Sequence, residues 1–222
     1  MSIEIVKNIE EKILSLNTTD LIKYILENYK NVALSSSLGA EDQVLTDMIF
    51  KVNKNSRVFT LDTGRLHSET YKVLDETNLK YGVKIEVFFP KFEDVENLYK
   101  IQGVNGHFES IDKRKNCCNI RKIEPLKRAL KGVDIWITGL RASQSITRET
   151  MPIVEWDENF KVIKLNPLIN WSEDDVWNYI KENKVPYNKL HDNGFPSIGC
   201  EPCTRAIKDG EDIRAGRWWW EN

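Results

Sequence analysis

Apolar positions recur every three to four residues over Ile3–Leu16 and again over Leu21–Tyr29, the spacing that turns one helix face toward a core. Thr19-Asp20 stands where the second helix needs a cap. The pattern then changes period. Val32–Leu34 is a short unbroken apolar run, followed by the polar loop "SSSLG" and a helical stretch through Met48–Phe50. "RVFTLDTGR" predicts a second strand ending in a polar turn, with a helix from about Ser68 to Lys80. "KIEVFFP" predicts a third strand, stopped by Pro90, and "DIWITGLR" a fourth. Strands alternating with helices of this length imply βαβ crossovers. The expected class is α/β: a mostly parallel, twisted sheet flanked by helices. Ser172 and Asp175 form a capping box for "WSEDDVWNYIKEN". From Pro186 the chain is rich in Gly, Pro and turns. One domain is expected, with N-terminal helices (1–30), an α/β core (31–185) and a loop-rich lobe (186–222).

Composition narrows the partners. A net charge of −2 gives no global field to recruit nucleic acid or an anionic membrane, so any anion site must be local. The opening "MSIEIVKNIEEKIL" lacks a signal-peptide core, and no run approaches eighteen apolar residues. A cytoplasmic location is expected. The four cysteines, Cys117, Cys118, Cys200 and Cys203, then argue for metal or redox chemistry over a disulfide scaffold. C-x₂-C is a ligand hook for tetrahedral sulfur sites, whereas adjacent cysteines must bend to face one centre. A multi-iron cluster eases that demand, because each thiolate can bind a different iron. Spacing alone leaves Cys₄ zinc and an iron–sulfur cluster both open, with unligated thiols and a Cys117–Cys118 disulfide as weaker readings.

Three loops follow predicted strands: Ser35–Gly39, Asp62–Arg65 and Thr138–Arg141. Open parallel sheets bind ligands at the carboxyl ends of their strands, so one site assembled from separate segments is expected. "SSSLGAED" offers three hydroxyls, Gly39 and a helix start, a setting that favours an anion; read alone, it is equally a serine-rich turn with a good cap. No GK[ST] follows, so it is not a Walker A loop. In "LDTGRLHSETY", Asp62 and Thr63 can fix the turn, Gly64 lets backbone approach a purine, and Arg65 offers a forked donor. His67, next to Ser68 at a helix start, reads as a polar cap rather than a catalyst.

These segments resemble one family. "SSSLGAED" is similar to the PP-loop of adenine-nucleotide α-hydrolases, in the variant of the sulfonucleotide (APS/PAPS) reductases, which reduce adenosine 5′-phosphosulfate (APS) or its 3′-phosphorylated form (PAPS). It lacks the double glycine and final serine of SGGxDS, which favours a ready-made sulfonucleotide over ATP. "LDTGRLHSETY" resembles the family's next signature. "CCNIRKIEPL" and "GFPSIGCEPCTRA" resemble the paired cysteine motifs of its assimilatory APS-reducing branch, which carries a 4Fe–4S cluster. The resemblance implies an adenine nucleotide α-hydrolase-like fold, with Cys117, Cys118, Cys200 and Cys203 as cluster ligands and Lys122 between cluster and substrate. It implies substrate contacts from Ser35, Ser36, Ser37, Gly39, Glu41, Asp42, Leu61, Asp62, Thr63, Gly64, Arg65, Gly139 and Arg141. Arg214 and Arg217, on one face if helical, complete the grip on the phosphosulfate, whose oxygens suit planar forks. Arg148 is a less firmly anchored candidate, and Trp218–Trp220 are expected to pack beneath the arginines.

The implied activity is reduction of APS to sulfite and AMP by thioredoxin or glutaredoxin thiols in assimilatory sulfate reduction. It runs through an S-sulfocysteine, and homo-oligomers are common in the family. The attacking cysteine belongs to an ECGLH-like C-terminal segment. This chain has no fifth cysteine, so the nucleophile is expected beyond Asn222, and the chain as written is expected to bind APS without completing turnover. Two other classes compete. An ATP-using PP-loop sulfurtransferase acting on nucleic acid is opposed by the missing SGGxDS, the lack of a spare thiol and the absence of a basic patch. A non-catalytic nucleotide-binding protein stapled by a Cys₄ metal would bind APS without turnover.

Overall fold

The computed structural model describes residues 2–13, 15–144 and 150–221; the candidate Arg148 lies outside them. All four predicted strands form: β1 (Val32–Ser35), β2 (Arg57–Leu61), β3 (Glu86–Phe88) and β4 (Ile135–Ile137). They join β5 (Val154–Asp157) and β6 (Val162–Leu165) in one sheet of order β3-β2-β1-β4-β6-β5, parallel throughout except for the β5–β6 hairpin. That hairpin was not foreseen. Its segment "VEWDENFKVIKL" interleaves charges, and its turn is made by Asp157, whose Oδ1 accepts the N–H groups of Asn159 and Phe160.

The first two helices, α1 (Ser2–Ile13) and α2 (Thr18–Asn28), end earlier than their patterns suggested. The cap of α2 is Asn17, not Thr19-Asp20: its Oδ1 accepts the Asp20 N–H at 3.0 Å. The crossover helices α3 (Ala40–Val52) and α4 (Ser68–Tyr81) stand where predicted. Between β3 and β4 run α5 (Phe92–Gln102), α6 (Ile111–Cys118) and α7 (Glu124–Ala129), the last two joined by a π-helical turn over Asn119–Ile123. None of the three was read from the sequence: α6 has no buried residue and little apolar periodicity, whereas α5 does place Phe92, Val95, Leu98 and Tyr99 at helical spacing and is a missed signal. The capping box of α8 (Glu173–Asn183) forms as expected, with reciprocal bonds between Ser172 and Asp175.

Side chains alternate across the sheet and build two cores. Val32 and Leu34 of β1 join the larger core with α1, α2, α3 and α8, while Ala33 faces a smaller one with Phe59, Ala129 and Leu130. Among the described residues beyond Pro186 the helical segments are two 3₁₀ turns, at Lys189–Asn193 and Glu201–Cys203. Arg214 and Arg217 sit on a turn, not a helix: the Arg217 N–H donates to the Arg214 carbonyl at 2.8 Å, and Arg217 bridges antiparallel to Thr204. Among the described residues no helix is long and apolar enough to cross a membrane.

Candidate functional site

The loops after β1, β2 and β4 border one cleft of about 480 Å³. Ser35, Ser36, Ser37 and Gly39 line it, and the loop is tied from below. The Ser36 N–H donates to the Phe59 carbonyl at 2.8 Å. Asp42 Oδ2 accepts both the N–H and the hydroxyl of Ser37 at 2.6 Å. Leu38 takes a positive φ of 63°, unusual for a branched residue; its fully buried side chain holds it there. A side chain on Gly139 would collide with the Asp42 carboxylate, so only glycine lets the β4 loop close over it. Burial raises the Asp42 pKa to about 6 against the Ser37 hydrogen bonds.

The neighbouring Glu41 accepts from Arg141 Nε at 2.8 Å and from Gln144 Nε2 at 2.8 Å. Arg141 is buried, with Nη1 donating to Ser143 Oγ at 2.7 Å. Its guanidinium lines an adjoining cleft of about 580 Å³, which shares Glu41 and His191 with the first. Asp42 therefore builds the serine loop, and Glu41 positions Arg141.

In the second turn Leu61 and Thr63 line the nucleotide-sized cleft, while their neighbours support them. Asp62 accepts the Gly64 N–H at 2.7 Å and the Tyr71 hydroxyl at 2.9 Å. Gly64 has φ +72°, which its lack of a side chain permits. Arg65 donates to the Val104 carbonyl at 2.8 Å and to Asn105 Oδ1 at 3.0 Å, and borders the cysteine cavity rather than this cleft. At the other end stand Lys122, Arg214 and Arg217. Gly199 lets Arg217 lie against the backbone, since a Cβ there would sit 2.5 Å from the guanidinium carbon. Trp218 lies beneath Arg217 and Arg114, at 5.2 and 4.4 Å from their guanidiniums.

All four cysteines line one cavity with Arg65, His107, Arg114, Arg121 and Lys122, and Lys122 borders both this cavity and the cleft. Cys117 and Cys118 close α6, Cys200 caps the second 3₁₀ turn and Cys203 ends it, and Thr63 Oγ1 lies 3.2 Å from Cys200 Sγ. Burial and the neighbouring cysteines push the Cys203 thiol up to about 12; burial also raises Cys117, with Arg121 acting against it. Among the described residues, buried Arg121 Nε and Nη2 and His107 Nε2, on two residues that line this cavity, have no hydrogen-bond partner, and neither do Arg217 Nε and Trp220 Nε1, which lie outside its lining. Buried donors are normally paired, so the two Arg121 N–H groups call for an acceptor in the cavity. Four cysteines ringed by cations and N–H donors fit a compact metal–sulfur core that the thiols would ligate as thiolates. Among the described residues no three His, Cys, Asp or Glu side chains already stand in metal-binding geometry, so the fit rests on the donor set and the unpartnered groups.

His67 occupies the N-cap position of α4 but makes no capping bond; its ring meets Phe195 edge-on at 5.8 Å, and burial lowers its pKa. Sequence reasoning missed Arg114, Arg121, Trp136 and Lys164 at these sites. Arg121 lay within the quoted "CCNIRK" motif, and Trp136 in a core strand beside the polar β4 turn, where an indole N–H must find a partner.

Residues 31–206 match the phosphoadenosine phosphosulfate reductase domain family. The chain is 48% identical over 203 residues to the adenosine 5′-phosphosulfate reductase of Allochromatium vinosum, covering 91% of this chain and 79% of that one. It is 50% identical over 198 residues to the enzyme of the same name from Neisseria meningitidis serogroup B, covering 89% and 80%. Its structure is similar to the phosphoadenylyl-sulfate reductase of Candida auris, solved as a phosphate complex, with a TM-score of 0.77 at 28% identity over 91% of this chain and 96% of that one. A TM-score of 0.58 at 15% identity to the Candida glabrata FMN adenylyltransferase, over 99% and 81% of the two chains, reflects the fold alone. Sequence and architecture agree, and the chain belongs to the phosphoadenosine phosphosulfate reductase family.

Proposed function

We propose that the protein acts in the reduction of adenosine 5′-phosphosulfate to sulfite and AMP in sulfate assimilation. The observation that carries this reading is the junction at Lys122: an adenine-nucleotide-sized cleft on one side and a four-cysteine cavity on the other share this ammonium. APS is the substrate favoured by the names of the most similar relatives, with PAPS as the related alternative. The serine loop and the start of α3 suit the nucleotide's phosphate oxygens, while Lys122, Arg214 and Arg217 suit the phosphosulfate.

In this reading Cys117, Cys118, Cys200 and Cys203 would hold a 4Fe–4S cluster, which would supply a charged, sulfur-ligated centre and no electrons, and Arg121 would donate toward it. The attacking thiolate comes from none of these four cysteines. It forms a bond to the sulfate sulfur as the S–O bond to phosphate breaks, and AMP departs with the electron pair. Lys122 and the arginines hold the negative charge as it moves onto AMP. The resulting S-sulfocysteine is opened by a thioredoxin-type dithiol, which is oxidised to a disulfide as sulfite leaves.

The test uses the chain joined to a C-terminal segment carrying one cysteine, supplied with APS and a dithiol reductant. Sulfite and AMP should appear in equal amounts. No sulfite from iron-loaded protein would sink the reading.

A further inference from the structure

Ser35 closes β1 and Trp136 is central to β4, the strand beside it, where Trp136 pairs with Ala33 on one side and Lys164 on the other. Ala33 and Ser35 are two residues apart and share a sheet face, so the Trp136 indole reaches Ser35 diagonally. Its Nε1–H donates to Ser35 Oγ at 2.7 Å. The ring is fixed from two sides, edge-on to Phe160 at 5.4 Å and with the Lys164 ammonium 5.9 Å from its centre. Glu155 holds that ammonium at 3.0 Å. Both Ser35 and Trp136 line the nucleotide cleft.

A serine hydroxyl has two lone pairs and one proton, and its rotor normally turns to suit whatever is near. We propose that Trp136 is a positioning residue of the nucleotide site, whose indole N–H occupies a lone pair of Ser35 Oγ and directs the hydroxyl proton to a nucleotide oxygen. Among the described residues no protein acceptor takes that proton. A phosphate or ribose oxygen at the serine loop is an acceptor of the required kind, and an indole can only donate, so the Ser35 proton cannot be recaptured by its partner. The inference rests on the nucleotide reading above and adds a residue that reads the ligand through another.

The test is a double-mutant cycle on AMP binding, measured by calorimetry on the full chain and on Trp136→Phe, Ser35→Ala and the double variant. Trp136→Phe keeps an aromatic ring but removes the N–H. It should weaken AMP binding about five- to tenfold in the wild-type background, the reach of one ordinary hydrogen bond. In the Ser35→Ala background the same change should cost less than about twofold, because the hydroxyl it orients is gone. Equal losses in both backgrounds would overturn the inference and leave Trp136 as packing. If Trp136→Phe fails to fold, NMR of the indole N–H signals decides. The resonance displaced by Ser35→Ala should also move when AMP is added to wild type; a resonance that stays put overturns the proposal. Wild-type protein that binds no AMP would strike the nucleotide reading itself, and this inference with it.

Discussion

Glu41 and Asp42 put two carboxylates beside the serine loop, and each has different partners. Arg141 and Gln144 engage Glu41, whereas Asp42 is buried behind the serine loop with a pKa raised to about 6. A buried acid of this kind binds its proton more tightly in the folded than in the unfolded chain. Its contribution to stability is full below the unfolded value of about 4 and is lost as pH rises through about 6, up to roughly 3 kcal/mol. Asp42→Asn removes that dependence. The variant's melting temperature should therefore improve relative to wild type between pH 4 and pH 7, as read by thermal denaturation across that range. A constant difference would show that Asp42 titrates normally.

At the scale of elements, Asp47 pins three helices together. This α3 carboxylate is 1% exposed and accepts the hydroxyls of Tyr81 from α4 at 2.6 Å and Tyr179 from α8 at 2.8 Å. Lys51 lies 2.6 Å away and Lys80 3.7 Å. Burial pushes its pKa up, but the bonds from Lys51, Tyr81 and Tyr179 outweigh burial and hold it low. Asp47 therefore adds stability above its unfolded pKa and loses it as pH falls, opposite in sign to Asp42. Asp47→Ala removes the acceptor of the Tyr81 and Tyr179 hydroxyls, while Lys51 and Lys80 keep bonds to Asn183 and Lys184, and should cost about 3 kcal/mol in urea unfolding at pH 7. A loss below about 1 kcal/mol would mean that the apolar α3–α8 contact alone sets the packing.

Across the whole molecule the cysteine cavity is assembled from the β2 turn, α6 and the C-terminal lobe. Glu201 N–H donates to the Arg65 carbonyl at 2.9 Å, Trp218 N–H to the Cys203 carbonyl at 3.2 Å, and Arg114 grips Glu221 with bonds of 2.7 and 2.8 Å. Few large apolar side chains are buried beyond Val185, so the lobe depends on these ties and on whatever the thiols hold. On the proposed cluster reading, Cys203→Ser should lose iron from the loaded protein and raise hydrogen exchange over residues 198–221, while β1, β2 and β4 keep their protection. Unchanged exchange in the lobe after iron is lost would mean that the ties suffice without the metal.

The strand–helix alternation through β4, the serine loop, the turn at Gly64 and the cysteine pairs were legible because each is a local pattern whose chemistry acts over a few residues. The β5–β6 hairpin and α6 were not, since mixed charge and exposed faces leave little periodicity to read, while α5 had a readable spacing at Phe92, Val95, Leu98 and Tyr99. Nor could the sequence assign Glu41, Asp42, Asp62 and Arg65 to holding the loops, or show that Trp136 meets Ser35 from 101 positions away. Those assignments depend on which groups burial brings within about 3 Å of one another, where an unpaired charge or N–H is costly and a partner must be found. The sequence by itself determined the residue types and the order of the site's loops. Only the tertiary structure decided which of them line the cleft and which hold the others in place.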